Sequence, residues 1–403
     1  MLDQFEKYTR KLVRDRIAEP GSIRFYRLDD RVIASRDDEW LSVFAEVFRG
    51  LNITALLLAR PPLRFGDRLI AAAGPGTDRI VPKDSETKTF HHDFPFIRTR
   101  EWQGLQPRDM AARITASLRE RKAVIVEDLG FIGSGGVTVE QAYIAYSTIF
   151  HATFLKFCLD VLDRGFRDQA ERDAFEELRR TWALPVDASD VLLREGPLTD
   201  AKVIREEMDR VGRATVEKGL VDSFFGNISY FDGGTIYISQ TASSLDELEG
   251  HIDPVPLDGS STAGLSASSE LPAHRAIYQS SDYHAILHGH PKFSVILSMF
   301  CEEKGCGVED CGRDCKRKRT VCGIPIVSGE LGAGGLAKTV PPAIRETGTC
   351  IVYGHGVFAA GNKDFRDAFR TMVEAENRCR EEYFSLVDRR NGRTEQCSRG
   401  YLM

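Results

Sequence analysis

A chain of 403 residues with 42% hydrophobic side chains is long enough for two ordinary domains and can bury real cores, which excludes wholesale disorder. A net charge of −6 gives no general electrostatic case for nucleic acid or an anionic membrane, and the one basic run, Lys316-Arg-Lys-Arg319, reads as a solvated loop. No stretch of about eighteen apolar residues exists and the N-terminus lacks the apolar core of a signal peptide. The expectation is therefore a cytoplasmic protein whose nine cysteines are thiols or metal ligands rather than disulfides.

In chain order, residues 1–20 read as a charged helix ending near Pro20-Gly21, and 22–35 as a pair of strands. Residues 40–48 suit a short helix. Asn52-Ile-Thr-Ala-Leu-Leu-Leu-Ala-Arg-Pro-Pro62 is a buried strand stopped by a proline pair. Residues 74–105, rich in Gly, Pro and Asp, read as loop. A helix over 109–121, a strand from Ala123 and a long helix from Thr138 to about Arg180 follow, and a linker starts at Trp182. The second half opens with a helix over 199–218 and strands near Ile228 and Ile236. After them come a turn at Thr241-Ala-Ser-Ser244 feeding a short helix, a further helix opened by Ser268-Ser-Glu-Leu-Pro272, and the run Tyr283-His-Ala-Ile-Leu-His-Gly-His-Pro291.

That last run reads as a buried strand. Residues two apart on a strand share a face, so His288 and His290 project together about 6–7 Å apart. Two imidazoles on one face at a strand end form half a metal site, or a pair of hydrogen-bonded histidines.

The two halves resemble each other where their strands end. Ile125-Val-Glu-Asp-Leu-Gly-Phe-Ile-Gly-Ser-Gly135 aligns without gaps on Ile351-Val-Tyr-Gly-His-Gly-Val-Phe-Ala-Ala-Gly361, and Leu56-Leu-Leu-Ala-Arg-Pro61 on Ile286-Leu-His-Gly-His-Pro291. The expectation is an internal duplication. Leu58, Arg60 and Leu129 then stand where the second copy has His288, His290 and His355, so the first copy should fold alike and bind no metal there.

Four ordered blocks, Gly226-Asn-Ile-Ser229, Ser268-Ser-Glu270, His288-Gly-His-Pro291 and Gly354-His-Gly356 with Gly361, resemble the class II aldolase/adducin family. The resemblance covers about residues 195–390 and is closest to the L-fuculose-1-phosphate aldolase branch. It implies Zn2+ or another divalent metal held by His288, His290 and His355, with Glu270 as general acid/base. Three neutral imidazoles leave a fourth position open, the arrangement of a catalytic zinc. The alternative for Glu270 is a first-turn carboxylate stabilising its own helix. The resemblance further implies a phosphate cradle at Gly226, Asn227, Ser243, Ser244, Ser268 and Ser269. Two departures bear on it: Phe224-Phe225 replaces a small hydroxyl residue before Gly-Asn, and Thr241-Ala-Ser-Ser244 loses the family's Pro and Gly. A smaller, more apolar or carboxylate-bearing substrate fits those changes. His274, four residues after Glu270, either orients it or packs in the core.

Cys301, Cys306, Cys311, Cys315 and Cys322 crowd a stretch where this family has a short loop. A second zinc, an iron–sulfur cluster, redox regulation and free thiols all remain open there, since no Cys-x-x-Cys pair is present.

The expected fold is α/β: two tandem class II aldolase-like domains, 1–190 degenerate and metal-free and 191–403 catalytic, each a mainly antiparallel sheet flanked by helices. The expected function is a metal-dependent aldolase (lyase) that cleaves or forms a C–C bond through an enediolate in a small hydroxy-ketone, sugar phosphates included, with a decarboxylase or dehydratase, or an adducin-like interaction protein, as alternatives. The partners implied are a small-molecule substrate and further copies of the chain in a homo-oligomer with interface active sites, with no nucleic acid and no membrane.

Overall fold

The computed structural model describes residues 2–392 apart from 37, 223, 304, 316 and 330–333. The chain divides into two compact units, Met1–Phe157 and Cys158–Met403. Among the described residues no helix is long and apolar enough to cross a membrane.

The first unit is built on β3 (Ala55–Ala59), in which every residue is buried. A strand apolar on both faces requires cover on both. Around it lie β1 (Arg24–Leu28), β2 (Val32–Ala34), β4 (Arg79–Ile80), β5 (Phe94–Ile97), β6 (Ala123–Val126) and β7 (Gly130–Gly135). The sheet runs β2-β1-β3-β7-β6-β5-β4, antiparallel throughout except for the parallel pair β5 and β6. The helices Trp40–Gly50 and Pro107–Glu120 lay Phe44, Val47, Ile114 and Leu118 against Leu56 and Leu58.

The second unit holds β8 (Asn227–Phe231), β9 (Thr235–Ser239), β10 (Ile252–Pro256), β11 (Ala285–Gly289), β12 (Arg319–Val321), β13 (Ile324–Val327), β14 (Thr349–Val352) and β15 (Gly356–Gly361). Their order is β10-β9-β8-β11-β15-β14-β13-β12, and β13 with β14 is again the parallel pair. Apart from β10 at one edge, order and sense repeat those of the first sheet. The register repeats too: Leu58 faces Ile132 and Ala55 faces Gly135, as His288 faces Phe358 and Ala285 faces Gly361. The helices Leu271–Ser280 and Leu336–Thr347 cover Ile286 and Phe358. The helices Lys292–Met299 and Phe365–Arg390 pack on each other and on β11 and β15.

Several local expectations need correction. The first helix stops at Arg14, and Arg16 turns with φ +56°. Residues 74–105 are not all loop. Asp84 caps a helix over Ser85–His91 by accepting from Thr87 N, and β5 buries Phe94, Phe96 and Ile97. The long helix is interrupted after Arg164 by Gly165 at φ +75°, and Asp168 caps a second helix, Gln169–Trp182. No helix follows Thr241, while β10, unread in the sequence, pairs with β9.

Candidate metal centre

β11 and the turn between β14 and β15 bring three imidazoles together. His288 is the fourth residue of β11, His290 follows its end, and His355 lies one residue before β15. All three are buried, and their donor nitrogens lie within 4.8 Å of one another. Glycine permits this approach. A Cβ on Gly356 would sit 2.4 Å from Gly289 O and 2.8 Å from ring carbons of both His288 and His290. Gly226, at φ +80°, passes so close beneath β11 that a Cβ would meet His288 O at 2.7 Å.

The His288 ring fits a metal in protonation and orientation. His288 Nδ1 donates to Val357 O at 3.0 Å, which leaves the Nε2 lone pair facing the cluster. Burial, then the neighbouring imidazoles of His290 and His355, hold His288 well below its usual pKa, so it is neutral, the form that binds a cation. His288 Nε2 and His290 Nε2 are 3.1 Å apart. The walls are aromatic: Phe358 stacks on His288 with centroids 4.1 Å apart, and Phe225 on His290 at 5.2 Å and 3°.

Glu270 closes another side of the cluster. Its Oε2 lies 3.5 Å from His288 Nε2 and its Oε1 3.4 Å from His355 Nε2. It occupies the N-cap position of the helix Leu271–Ser280, yet its side chain makes no capping hydrogen bond. The carboxylate is turned to the imidazoles rather than to its own helix. Asn227 Nδ2 donates to Glu270 Oε2 at 2.7 Å, and Asn227 Oδ1 accepts from His274 Nε2 at 2.6 Å. His274 Nδ1 therefore accepts, from Ser229 Oγ at 2.6 Å. Ser229 Oγ in turn lies 2.7 Å from Tyr278 OH. Fully buried, His274 is pushed down to about 3 by desolvation and stays neutral in this chain. It is both a core residue and, through Asn227, a positioning residue for Glu270.

The expected anion cradle is distributed unevenly. Gly226, Asn227 and Ser268 are placed beside Glu270, whose backbone N–H donates to Ser268 Oγ at 3.3 Å. Ser269 is exposed. Ser243 Oγ donates to Gln240 O at 2.7 Å and Ser244 Oγ to Asp246 Oδ1 at 2.6 Å, so both hydroxyls are bonded within their own loop. In the first unit Leu58 lies on β3, Arg60 follows it, and Leu129 precedes β7. Arg60 and Arg64 border a small cavity there with Asp67 and Asp128.

Three supporting residues are less legible in sequence. Lys292, directly after the His-x-His-Pro run, forms a buried ion pair with Asp222. Glu376, wholly buried, accepts from Phe293 N at 3.1 Å and from Ser294 N at 3.0 Å, and so caps the helix that starts at Lys292. It also pairs with Arg380 at 3.2 Å. Phe225, visible only as a departure from a pattern, proves to be a wall of the site. Among the described residues the imidazole trio is the one group of three converging donors; Cys301, Cys306, Cys311, Cys315 and Cys322 make no such group.

Residues 206–383 match the family described as Class II Aldolase and Adducin N-terminal domain. No curated protein matches the chain. Among solved structures, an L-fuculose-1-phosphate aldolase from Thermus thermophilus aligns at 23% identity and TM-score 0.37, over 50% of this chain and 98% of that one. A sugar-phosphate aldolase from Thermotoga maritima aligns at 22% and 0.36, over 48% and 97%. An L-fuculose 1-phosphate aldolase from Glaciozyma antarctica aligns at 12% and 0.35, over 50% and 96%.

Proposed function

We propose, on the premise that residues 206–383 are a class II aldolase/adducin domain, that this protein is a divalent-metal-dependent lyase acting on a small hydroxy-carbonyl compound. The observation that carries the reading is one cluster joining three buried imidazoles to a carboxylate that makes no capping bond to its own helix. His288, His290 and His355 would hold the ion. Bound there, a divalent cation such as zinc supplies Lewis-acid polarisation of a substrate carbonyl. Glu270 carries the proton. In the cleavage direction it returns a proton to the carbon left by C–C scission; in synthesis it removes that proton. Asn227, held by His274, fixes the carboxylate for this transfer. Phe225 and Phe358 keep water from two of the rings.

The loop-bound hydroxyls of Ser243 and Ser244 favour a substrate that makes little demand on a phosphate cradle. Decarboxylation or dehydration on the same site is the second reading, supported by that loss. We read 1–190 as a degenerate, metal-free copy of 191–403, supported by the repeated strand order and register. In a homo-oligomer that copy would supply interface.

Elemental analysis of the purified protein beside His288→Ala tests the reading. About one divalent ion per chain, lost in the variant together with turnover of a hydroxy-ketone panel, is expected. A folded protein that takes up no ion at its histidines, even from added zinc, overturns it.

A further inference from the structure

The loop that carries Phe225 is seated against the end of β11. Leu220 O lies so near that a Cβ on Gly289 would come within 2.8 Å of it. A Cβ on Gly226 would meet His288 O at 2.7 Å and Val221 Cγ2 at 3.0 Å. A buried ion pair crosses this seat: Lys292 Nζ donates to Asp222 Oδ2, with Lys292 2% and Asp222 7% exposed. Lys292 is two residues beyond His290, and Asp222 three before Phe225. Phe225 N donates to Asp222 O at 3.2 Å, and the Phe225 ring lies parallel to that of His290 with centroids 5.2 Å apart. The Lys292 ammonium also faces the ring of Trp182, 5.0 Å from its centroid.

Stability alone is a poor account of a lysine at this place. Burial strips the ammonium and the carboxylate of water, and their attraction offsets that loss only in good geometry, so an apolar pair of similar volume often holds a fold as well. Lys292 is also the first residue of its helix, where the helix dipole disfavours a cation. What the pair supplies is direction, because a charge-assisted hydrogen bond fixes one point of the loop against one strand end. The first copy, whose strand end carries no imidazole, has Pro62 in the place of Lys292.

We propose that Asp222 and Lys292 are positioning residues of the metal centre: their ion pair seats the loop on the strand end and so lays Phe225 flat on His290. Held there, Phe225 limits rotation of the His290 ring and covers one of its faces against water. Asn227 and His274 position Glu270; Asp222 and Lys292 position His290 in the same indirect way, through Phe225. The inference rests on the lyase reading for the role of His290 as a ligand, and its first measurement needs no ion.

The test is Asp222→Asn/Lys292→Met, which removes both charges and so strands neither, beside Phe225→Ala and the triple variant. Asp222→Asn alone, which weakens the pair but keeps a hydrogen bond, gives the same reading in smaller measure should the double variant fail to fold in a urea-unfolding check. In metal-free protein with labelled histidine rings, the ring current of Phe225 displaces the His290 ring protons upfield, and Phe225→Ala identifies that displacement. The double variant should lose most of it. Co2+ affinity should then fall about tenfold in Phe225→Ala and in the double variant, and no further in the triple, because both act through one contact. A pair that only supports the fold would leave the His290 protons at their wild-type position, or would add its effect on affinity to that of Phe225→Ala. Either result overturns the proposal. Should no ion bind, the lyase reading falls, while the His290 displacement still decides this one.

Discussion

The side-chain amide of Asn227 donates to the Glu270 carboxylate at 2.7 Å, and its carbonyl oxygen is held from behind by His274 at 2.6 Å. The amide cannot turn over without setting oxygen against carboxylate, so one conformer of Glu270 is selected. Replacing Asn227 by Ala should reduce kcat about 10–100-fold with little change in metal content, because the side chain of Asn227 bonds to Glu270 and His274 rather than to His288, His290 or His355. Glu270→Gln should cost about 10²–10⁴-fold while keeping the ion. Steady-state kinetics on the substrate found by panel screening, paired with metal analysis, checks both. Loss of the ion in Asn227→Ala would show that it supports the ligands directly.

Gly356→Ala is the most economical way to disturb the imidazoles without touching them. The new methyl group would meet Gly289 O and push the His288 and His290 rings. Metal affinity should fall about tenfold or more, each tenfold being about 1.4 kcal/mol. Competition against a chelator measures it, and unchanged affinity would mean that the rings move aside freely.

Glu376 is wholly buried and answers backbone N–H groups at the start of the helix after His290, together with Arg380. Its replacement by Ala strands buried donors and a buried guanidinium. Breaking such a pair costs about 3–5 kcal/mol. Urea unfolding should show a loss of this size for the second unit. A loss below about 1 kcal/mol would mean that water replaces the carboxylate.

His274 predicts a pH dependence. Its folded pKa, pushed down to about 3 by burial, lies below the unfolded value of about 6.5. Above about 6.5 neither state binds the proton and the group contributes nothing to the slope. Below it the unfolded chain takes up a proton that the folded chain refuses, so stability falls by up to about 1.4 kcal/mol per pH unit as pH drops toward 3. His274→Gln should flatten the curve by up to one proton between pH 6.5 and 4. Chelated wild type and variant, unfolded in urea across that range, give the comparison. Parallel curves would show that His274 protonates without unfolding.

The sequence carried what is local or repeated. His-x-His at a strand end, Gly-His-Gly at another and Glu270 before Pro272 were legible because alternation and turn chemistry depend on near neighbours. The aligned halves announced β3, β7, β11 and β15, whose registers repeat residue for residue. The short elements within 74–105 were hidden, since two to seven residues of helix or strand gain their stability from Phe94, Phe96 and Ile97 meeting a core that lies elsewhere in the chain.

What only the tertiary structure decided is how the groups meet. Sequence proposed Asn227 and Ser243 for an anion; packing gave Asn227 to Glu270 and turned Ser243 into its own loop. It left Glu270 a choice between capping its helix and facing the histidines, and the approach of the helix start to β11 settled that choice. The sequence determined which chemical groups are present and which of them share a strand face. Contact between residues 43 to 85 positions apart, as in Asn227 with Glu270 and Glu270 with His355, exists only once the sheet has brought its strands side by side.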